Sequence, residues 1–196
     1  MKQKYYAVKD SSGYKKLFNS WDEVKEVIST LSKPSHKSFG SLEEAEAFLN
    51  DLEYTSKLDG PTAYIDGSYD KETESYSFGC VLLIDNKEYQ FMKKYEKDEF
   101  SDMRNVAGEI KGAGFIMQYC VNHNIKKINI CYDYIGIEKW YKKEWKASSI
   151  ISIAYVDFCE KIYDKLEVSF HKIKSHSNNK YNDMADKLAK KALNIE

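Results

Sequence analysis

The chain has 196 residues, with 30 Lys and Arg against 31 Asp and Glu and a formal net charge of −1. At about one domain per 150 residues this is one domain or a large one plus a small one, and 42% hydrophobic residues can supply a core. No apolar run reaches the ~18 residues of a spanning helix, the start MKQKYYAVKD lacks the apolar stretch of a secretion signal, and the near-neutral charge disfavours a generic DNA coat.

Residues 4–8 (KYYAV) and 14–18 (YKKLF) read as short strands around the turn Ser11-Ser12-Gly13. Ser20-Trp21-Asp22-Glu23 has capping-box spacing and opens a helix to about Thr30. Pro34 ends that stretch, and a third strand is expected over His36–Phe39. Ser41-Leu42-Glu43-Glu44 repeats the box and starts a helix with Leu42, Ala45, Phe48 and Leu49 on one face. These elements make a small ββαβα domain over residues 1–52. The polar stretch 53–60 reads as a linker.

The pattern changes over 61–196. Strands are expected at 62–67, 75–84 and 88–95, the last two closing a hairpin across Asp85-Asn86-Lys87. A long helix follows at about 103–122, where Val106, Ile110, Ala113, Met117 and Cys120 form an apolar stripe. Next come a strand at 126–132, helices near 134–142 and 148–164, a strand at 166–173 and a helix from about 181 to 194. This order describes an α/β fold: a mixed five-stranded sheet with helices on both faces.

The four cysteines, Cys80, Cys120, Cys131 and Cys159, contain no C-x-x-C and fit neither a zinc site nor a disulfide scaffold. Reduced thiols in a cytoplasmic protein are expected. Basic residues are 29 Lys to one Arg, Arg104, so bidentate reading of guanine is nearly absent. By segment, 8 Lys face 8 acids in 1–52 and 21 bases face 21 acids in 61–196, which leaves room for local patches of either sign.

Four acids fall at telling places. Asp66 lies in the first strand of the large segment, Glu109 in the first turns of the long helix, Asp133 just after a strand, and Asp186 in the last helix one turn from Asn182. Strand ends and helix starts are where ligand groups converge in an α/β sheet. Carboxylates gathered together repel, and hard divalent cations neutralise such a cluster. Taken singly, each acid also reads as a turn, a cap or a surface charge; their order and context together carry the weight. Among other motifs, no G-x-S-x-G, P-loop or G-x-G-x-x-G is present.

The strings YIDGSYD, NVAGEIKG, ICYDY and KSHSNNKYNDMADKLA, in this order, resemble the four acidic motifs of type 1 ribonuclease H. The N-terminal KYYAVKDSSGYKKLFNSWDEVKEVI and KSFGSLEEAEAFL resemble the small hybrid-binding domain that precedes the catalytic domain in many relatives. The resemblance implies a ribonuclease H-like fold and metal-dependent endonucleolytic hydrolysis of the RNA strand of RNA–DNA hybrids. The products would carry 5′-phosphate and 3′-hydroxyl ends, and cleavage would have no sequence preference. It also implies two Mg²⁺ ions, with Mn²⁺ as the alternative, bridged by Asp66 and held further by Glu109, Asp133 and Asp186. His176, in a polar loop over 175–180, matches the mobile histidine of proton shuttling or product release. No obligate protein partner is indicated.

For the substrate, Asn105 matches a family position contacting the hybrid across its minor groove, while Ser68 and Asn182 are candidates for sugar or backbone contacts. Asp102 and Arg104 depart from the Arg and Thr of a DNA-phosphate pocket seen in some relatives. The segment 139–146 (KWYKKEWK) mixes Lys142 and Lys143 with Trp140 and Trp145. It reads either as a phosphate-tracking patch or as an amphipathic helix with its tryptophans in the core. In the N-terminal domain Tyr6 and Trp21 match positions packing on nucleic-acid strands and Lys37 a phosphate contact, with His36 where Phe is common and Ser38 where a second Lys is common. Two other classes stay open: a hybrid-binding protein without catalysis, and an integrase, transposase or exonuclease built on a similar sheet.

Overall fold

The computed structural model describes residues 4–40, 42–50, 58–173 and 179–195. The expected cap at Ser41, most of the 53–60 linker and His176 with most of its loop lie outside the described residues. The chain divides into two compact units, the second starting at Leu58.

The first unit contains strands β1 (Tyr5–Lys9), β2 (Lys15–Phe18) and β3 (Ser35–Phe39) and helices α1 (Trp21–Ile28) and α2 (Leu42–Leu49). The sheet is antiparallel in the order β2-β1-β3. Strand alternation divides its side chains between two small cores. Val8 and Phe18 meet Val24 of α1, whereas Ala7 meets Ala45 and Leu49 of α2. Ser20 caps α1 by accepting from the Asp22 N–H at 3.2 Å. Of the apolar face expected on α2, Leu42 is exposed rather than packed.

The second unit carries β4 (Thr62–Tyr69), β5 (Tyr76–Ile84), β6 (Lys87–Tyr95), β7 (Lys127–Tyr132) and β8 (Glu167–Lys172) in one sheet of order β6-β5-β4-β7-β8. β4, β5 and β6 run antiparallel, while β4–β7 and β7–β8 are parallel. One sheet face packs on α3 (Asn105–Asn122) and α5 (Ile150–Ile162). There Ile110, Ile116 and Met117 meet Ile65, Phe78 and Leu82, and Tyr155 and Cys159 close the layer. α4 (Gly136–Tyr141) contributes Ile137 and Trp140 to the same core. The opposite face packs on α6 (Lys180–Leu193), where Ala185 and Leu188 meet Tyr64, Val81 and Cys131. Helices therefore cover both faces, as expected. All four cysteines are buried and stand outside any disulfide.

Three local expectations change. The β5–β6 turn is two residues, Asp85 and Asn86, both at positive φ (52° and 59°), so Lys87 already pairs with Ile84. That is the left-handed backbone conformation a two-residue hairpin turn requires, and Asp and Asn tolerate it. The long helix does not begin at 103: Ser101–Met103 form a separate 3-10 turn, and Arg104 (φ 52°, ψ −130°) breaks the chain before α3 starts at Asn105. Finally, Trp140 is a core residue at 7% exposure, its ring centroid 5.8 Å from Tyr134 and 6.3 Å from Trp145.

Two glycines set the distance between helices and sheet. A Cβ on Gly108 of α3 would lie 1.9 Å from the Ser77 carbonyl oxygen, and one on Gly79 of β5 would lie 2.0 Å from the Ala185 carbonyl oxygen of α6. Both contacts are with backbone, which cannot swing aside, so only glycine permits this approach. No helix among the described residues is long and apolar enough to cross a membrane.

Candidate active site

β4 and β7 pair in parallel through Thr62↔Asn129, Ala63↔Ile130 and Tyr64↔Cys131. Continued by two residues, that register sets Asp66 level with Asp133, just where β7 has ended. Alternation puts Asp66 on the same face as Tyr64, the face covered by α6. From α6 comes Asp186, and from the N-terminal turns of α3 comes Glu109, whose backbone approaches Gly67 so closely that a Cβ there would lie 2.7 Å from the Glu109 nitrogen. Four elements thus bring four carboxyl groups to one end of the sheet.

The electrostatics bear the mark of that crowding. Burial first, then the charges of Asp133 and Asp186, push the Asp66 carboxyl from 3.8 up to about 7, although the Gly67 N–H donates to its Oδ1 at 2.7 Å. Glu109 is 2% exposed; burial, followed by the charge of Asp133 and a hydrogen bond with it, pushes its carboxyl from 4.5 up to about 10. The Tyr134 N–H donates to Glu109 Oε2 at 3.2 Å. Asp186 Oδ2 accepts from Lys190 Nζ at 2.7 Å. Asp66, Asp133 and Asp186 line an open groove of about 430 Å³ whose walls include Ser68, Asn105 and Asn182. Lys71 and Arg104 stand at the same groove.

The donor set is made entirely of carboxylate oxygens, the chemistry that suits a hard divalent cation. Asp66 and Glu109 carry raised pKa values, caused first by burial and then by neighbouring acids, as expected where anions are gathered. Among the described residues no three acids, histidines or cysteines are drawn together tightly enough to hold a metal ion. Glu109 and Asp133 instead share a hydrogen bond, and Asp186 is engaged by Lys190.

The remaining candidate residues separate. Lys142 and Lys143 pair with Glu138 and Glu160 beside a different groove, one with Tyr163 and Trp140 in its lining. Trp140, buried, is not available to stack on a base, whereas Trp145 is 43% exposed. In the first unit, Tyr6, Trp21 and His36 form a chain of rings, with centroids 5.8 Å and 5.5 Å apart, and Trp21 is 42% exposed. Lys37 alternates away from His36, its ammonium 5.5 Å from the Phe39 ring centroid. Sequence reasoning missed Lys190; its signal was the i, i+4 spacing from Asp186 on one helix.

A five-stranded mixed sheet covered on both faces, with Asp66, Asp133 and Asp186 lining one groove and Glu109 buried beside them, defines an α/β domain with an acidic groove at one end of its sheet. A family model described as RNase H matches residues 60–194, and one described as the Ribonuclease H1 N-terminal domain matches residues 4–49. The chain belongs to the ribonuclease H family. Ribonuclease H of Chlorobium phaeobacteroides is 23% identical over 136 residues, spanning 66% of this chain and 92% of that protein. That of Clostridium botulinum is 23% identical over 138 residues, spanning 66% and 93%. Among solved structures, RNase H1 from Halobacterium salinarum superposes with a TM-score of 0.57 at 17% identity, covering 68% of this chain and 97% of that one. The N-terminal RNase H domain of a Mycobacterium tuberculosis protein gives 0.57 at 12% identity, covering 69% and 94%. Family membership supports, in general terms, a nuclease acting on the RNA strand of RNA–DNA hybrids.

Proposed function

We propose that the protein is a metal-dependent endonuclease that hydrolyses the RNA strand of RNA–DNA hybrids without sequence preference, leaving 5′-phosphate and 3′-hydroxyl ends. The observation that carries this reading is the convergence of Asp66, Glu109, Asp133 and Asp186 on one end of the sheet, with the first two pushed to high pKa. Drawn closer together than they stand here, these four carboxyl groups would hold two Mg²⁺ or Mn²⁺ ions. When bound, the ions supply an activated water and charge neutralisation at the leaving 3′-oxygen.

The chain's own contribution is placement. Gly67 N–H fixes one oxygen of Asp66, and Tyr134 N–H fixes one oxygen of Glu109. The β4–β7 register sets the level of Asp133, and α6 carries Asp186 to the same groove. Ser68, Asn105 and Asn182 offer hydroxyl and amide groups to the sugars and edges of a hybrid lying along the groove. An open groove with polar walls suits recognition by shape and 2′-hydroxyl contact rather than by base sequence.

We assign the first unit to hybrid binding through the exposed rings of Trp21 and His36 and the half-buried ring of Tyr6, with Lys37 contacting phosphate. Tethering it to the nuclease raises the effective concentration of substrate. The test is cleavage of labelled RNA–DNA hybrid, double-stranded RNA and duplex DNA with Mg²⁺ and with Mn²⁺. Only the hybrid should be cut, and Asp66→Asn should abolish cutting while hybrid binding persists. Cleavage retained in Asp66→Asn, or equal cutting of all three substrates, refutes the assignment.

A further inference from the structure

Lys190 is the cation that the order of acidic motifs does not reveal. It stands four residues after Asp186 on α6, its Nζ 2.7 Å from Asp186 Oδ2, and it lines the same groove as Asp66 and Asp133. The paired side chains keep 43% and 31% of their surface exposed, so the contact lies in the groove wall and is not sealed in the core. Other lysine pairs in this unit, Lys127–Glu167 and Lys143–Glu160 among them, join acids that lie outside the groove. Lys190 joins an acid within it, and its charge opposes the repulsion felt at Asp66 as well.

We infer that Lys190 is a built-in counter-charge of the acidic groove, holding Asp186 while no divalent cation is bound and giving up that contact when one binds, so that it sets how tightly the cation is taken. The inference rests on the metal-dependent reading above. A carboxylate oxygen accepting from an ammonium at 2.7 Å has that lone pair engaged, and a cation needing the same oxygen must displace the amine. An ion pair this exposed is weak, so it acts as a yielding competitor and not as a lock. Among the described residues the ion pair of Lys190 is with Asp186, and its part is that of a positioning residue.

The experiment uses the full chain and its Lys190→Met and Lys190→Arg variants, with Mg²⁺ affinity measured by calorimetry at pH 8 and melting temperature measured in EDTA and in saturating Mg²⁺. Lys190→Met should bind Mg²⁺ about three- to tenfold more tightly, the range set by loss of one weakly held competitor and one positive charge. It should also melt lower in EDTA and show a larger rise on adding Mg²⁺. Lys190→Arg, which keeps charge and reach, should stay at the wild-type affinity. Lys190→Gln replaces the methionine variant, with the same expectation, if that protein does not fold. Equal or weaker Mg²⁺ binding by the neutral variant overturns the inference while leaving the metal-dependent reading intact. Absence of Mg²⁺ binding by the wild type overturns both.

Discussion

Removing the charge of Asp66 should stabilise the metal-free protein at pH 8 and do nothing at pH 4. Burial and the neighbouring Asp133 and Asp186 push this carboxyl from 3.8 up to about 7. Between those values the folded protein keeps a proton that the unfolded chain releases. Stability is therefore lost as pH rises through the window, at about 1.4 kcal/mol per pH unit. Three units give a ceiling of roughly 4 kcal/mol; residual solvent contact at Asp66 lowers the expectation to about 2 kcal/mol. Asn at this position still presents an Oδ1 to the Gly67 N–H, so Asp66→Asn removes the charge and keeps the 2.7 Å bond. The assay is urea unfolding in EDTA at pH 4, 6 and 8, taken as the difference between variant and wild type so that carboxylates not coupled to Asp66 cancel. The variant should gain about 2 kcal/mol at pH 8, less at pH 6 and nothing at pH 4. A difference independent of pH, or a more stable wild type at pH 8, would refute the argument that repulsion and burial at Asp66 oppose folding.

Three further outcomes follow from the same structure. Added Mg²⁺ should raise the melting temperature more at pH 8 than at pH 5, because Asp66 ionises through about 7 and the cation requires the ionised form; thermal scans at both pH values check this. Gly108→Ala should cost roughly 3 kcal/mol or more, since its Cβ would meet the Ser77 carbonyl oxygen at 1.9 Å and force α3 off the sheet. Chemical denaturation measures that loss, and a loss below about 1 kcal/mol would show that the helix shifts freely. Trp21→Ala should weaken hybrid binding by about tenfold, as expected for one stacking ring, with melting of the nuclease unit unchanged; anisotropy with a labelled hybrid reads the first and calorimetry the second.

Local patterns carried most of the fold. Alternation in β4 and β5, the helical stripe through Ile110, Ala113, Met117 and Cys120, and the serine caps are short-range signals, and each element formed within a few residues of its expected bounds. Ser149 caps α5 by accepting from the Ser152 N–H, so even that boundary was written locally. Features that depend on distant partners were not legible. The break at Arg104 places a residue of ordinary propensity at φ 52°, and nothing in its neighbours announces it. KWYKKEWK contains two tryptophans in similar settings, yet one is buried and the other is 43% exposed, a division made by Tyr134 and the core beneath α4. The four acids could be picked out only as an ordered set. Their convergence on one end of the sheet follows from the β4–β7 register and from backbone contacts at Gly67, Gly79 and Gly108, which a linear reading does not contain.

Those contacts also explain why the acidic groove persists. A cluster of carboxyl groups on flexible supports would relieve its repulsion by splaying apart, and the pKa values would return to the ordinary range. Here the supports are locked: Gly108 rests against the Ser77 carbonyl, and Gly79 lets α6 settle with the Ala185 carbonyl on β5. Ser77 Oγ adds a bond of 2.6 Å to the Ala189 carbonyl, one turn beyond Ala185 on α6. The large core shared by α3, α5 and the sheet holds the frame that keeps the acids together. Such a groove draws cations in proportion to the charge that its walls prevent from escaping. On the metal-dependent reading proposed above, the same rigidity that would cost stability without a divalent ion would favour taking one up, with Lys190 tempering both.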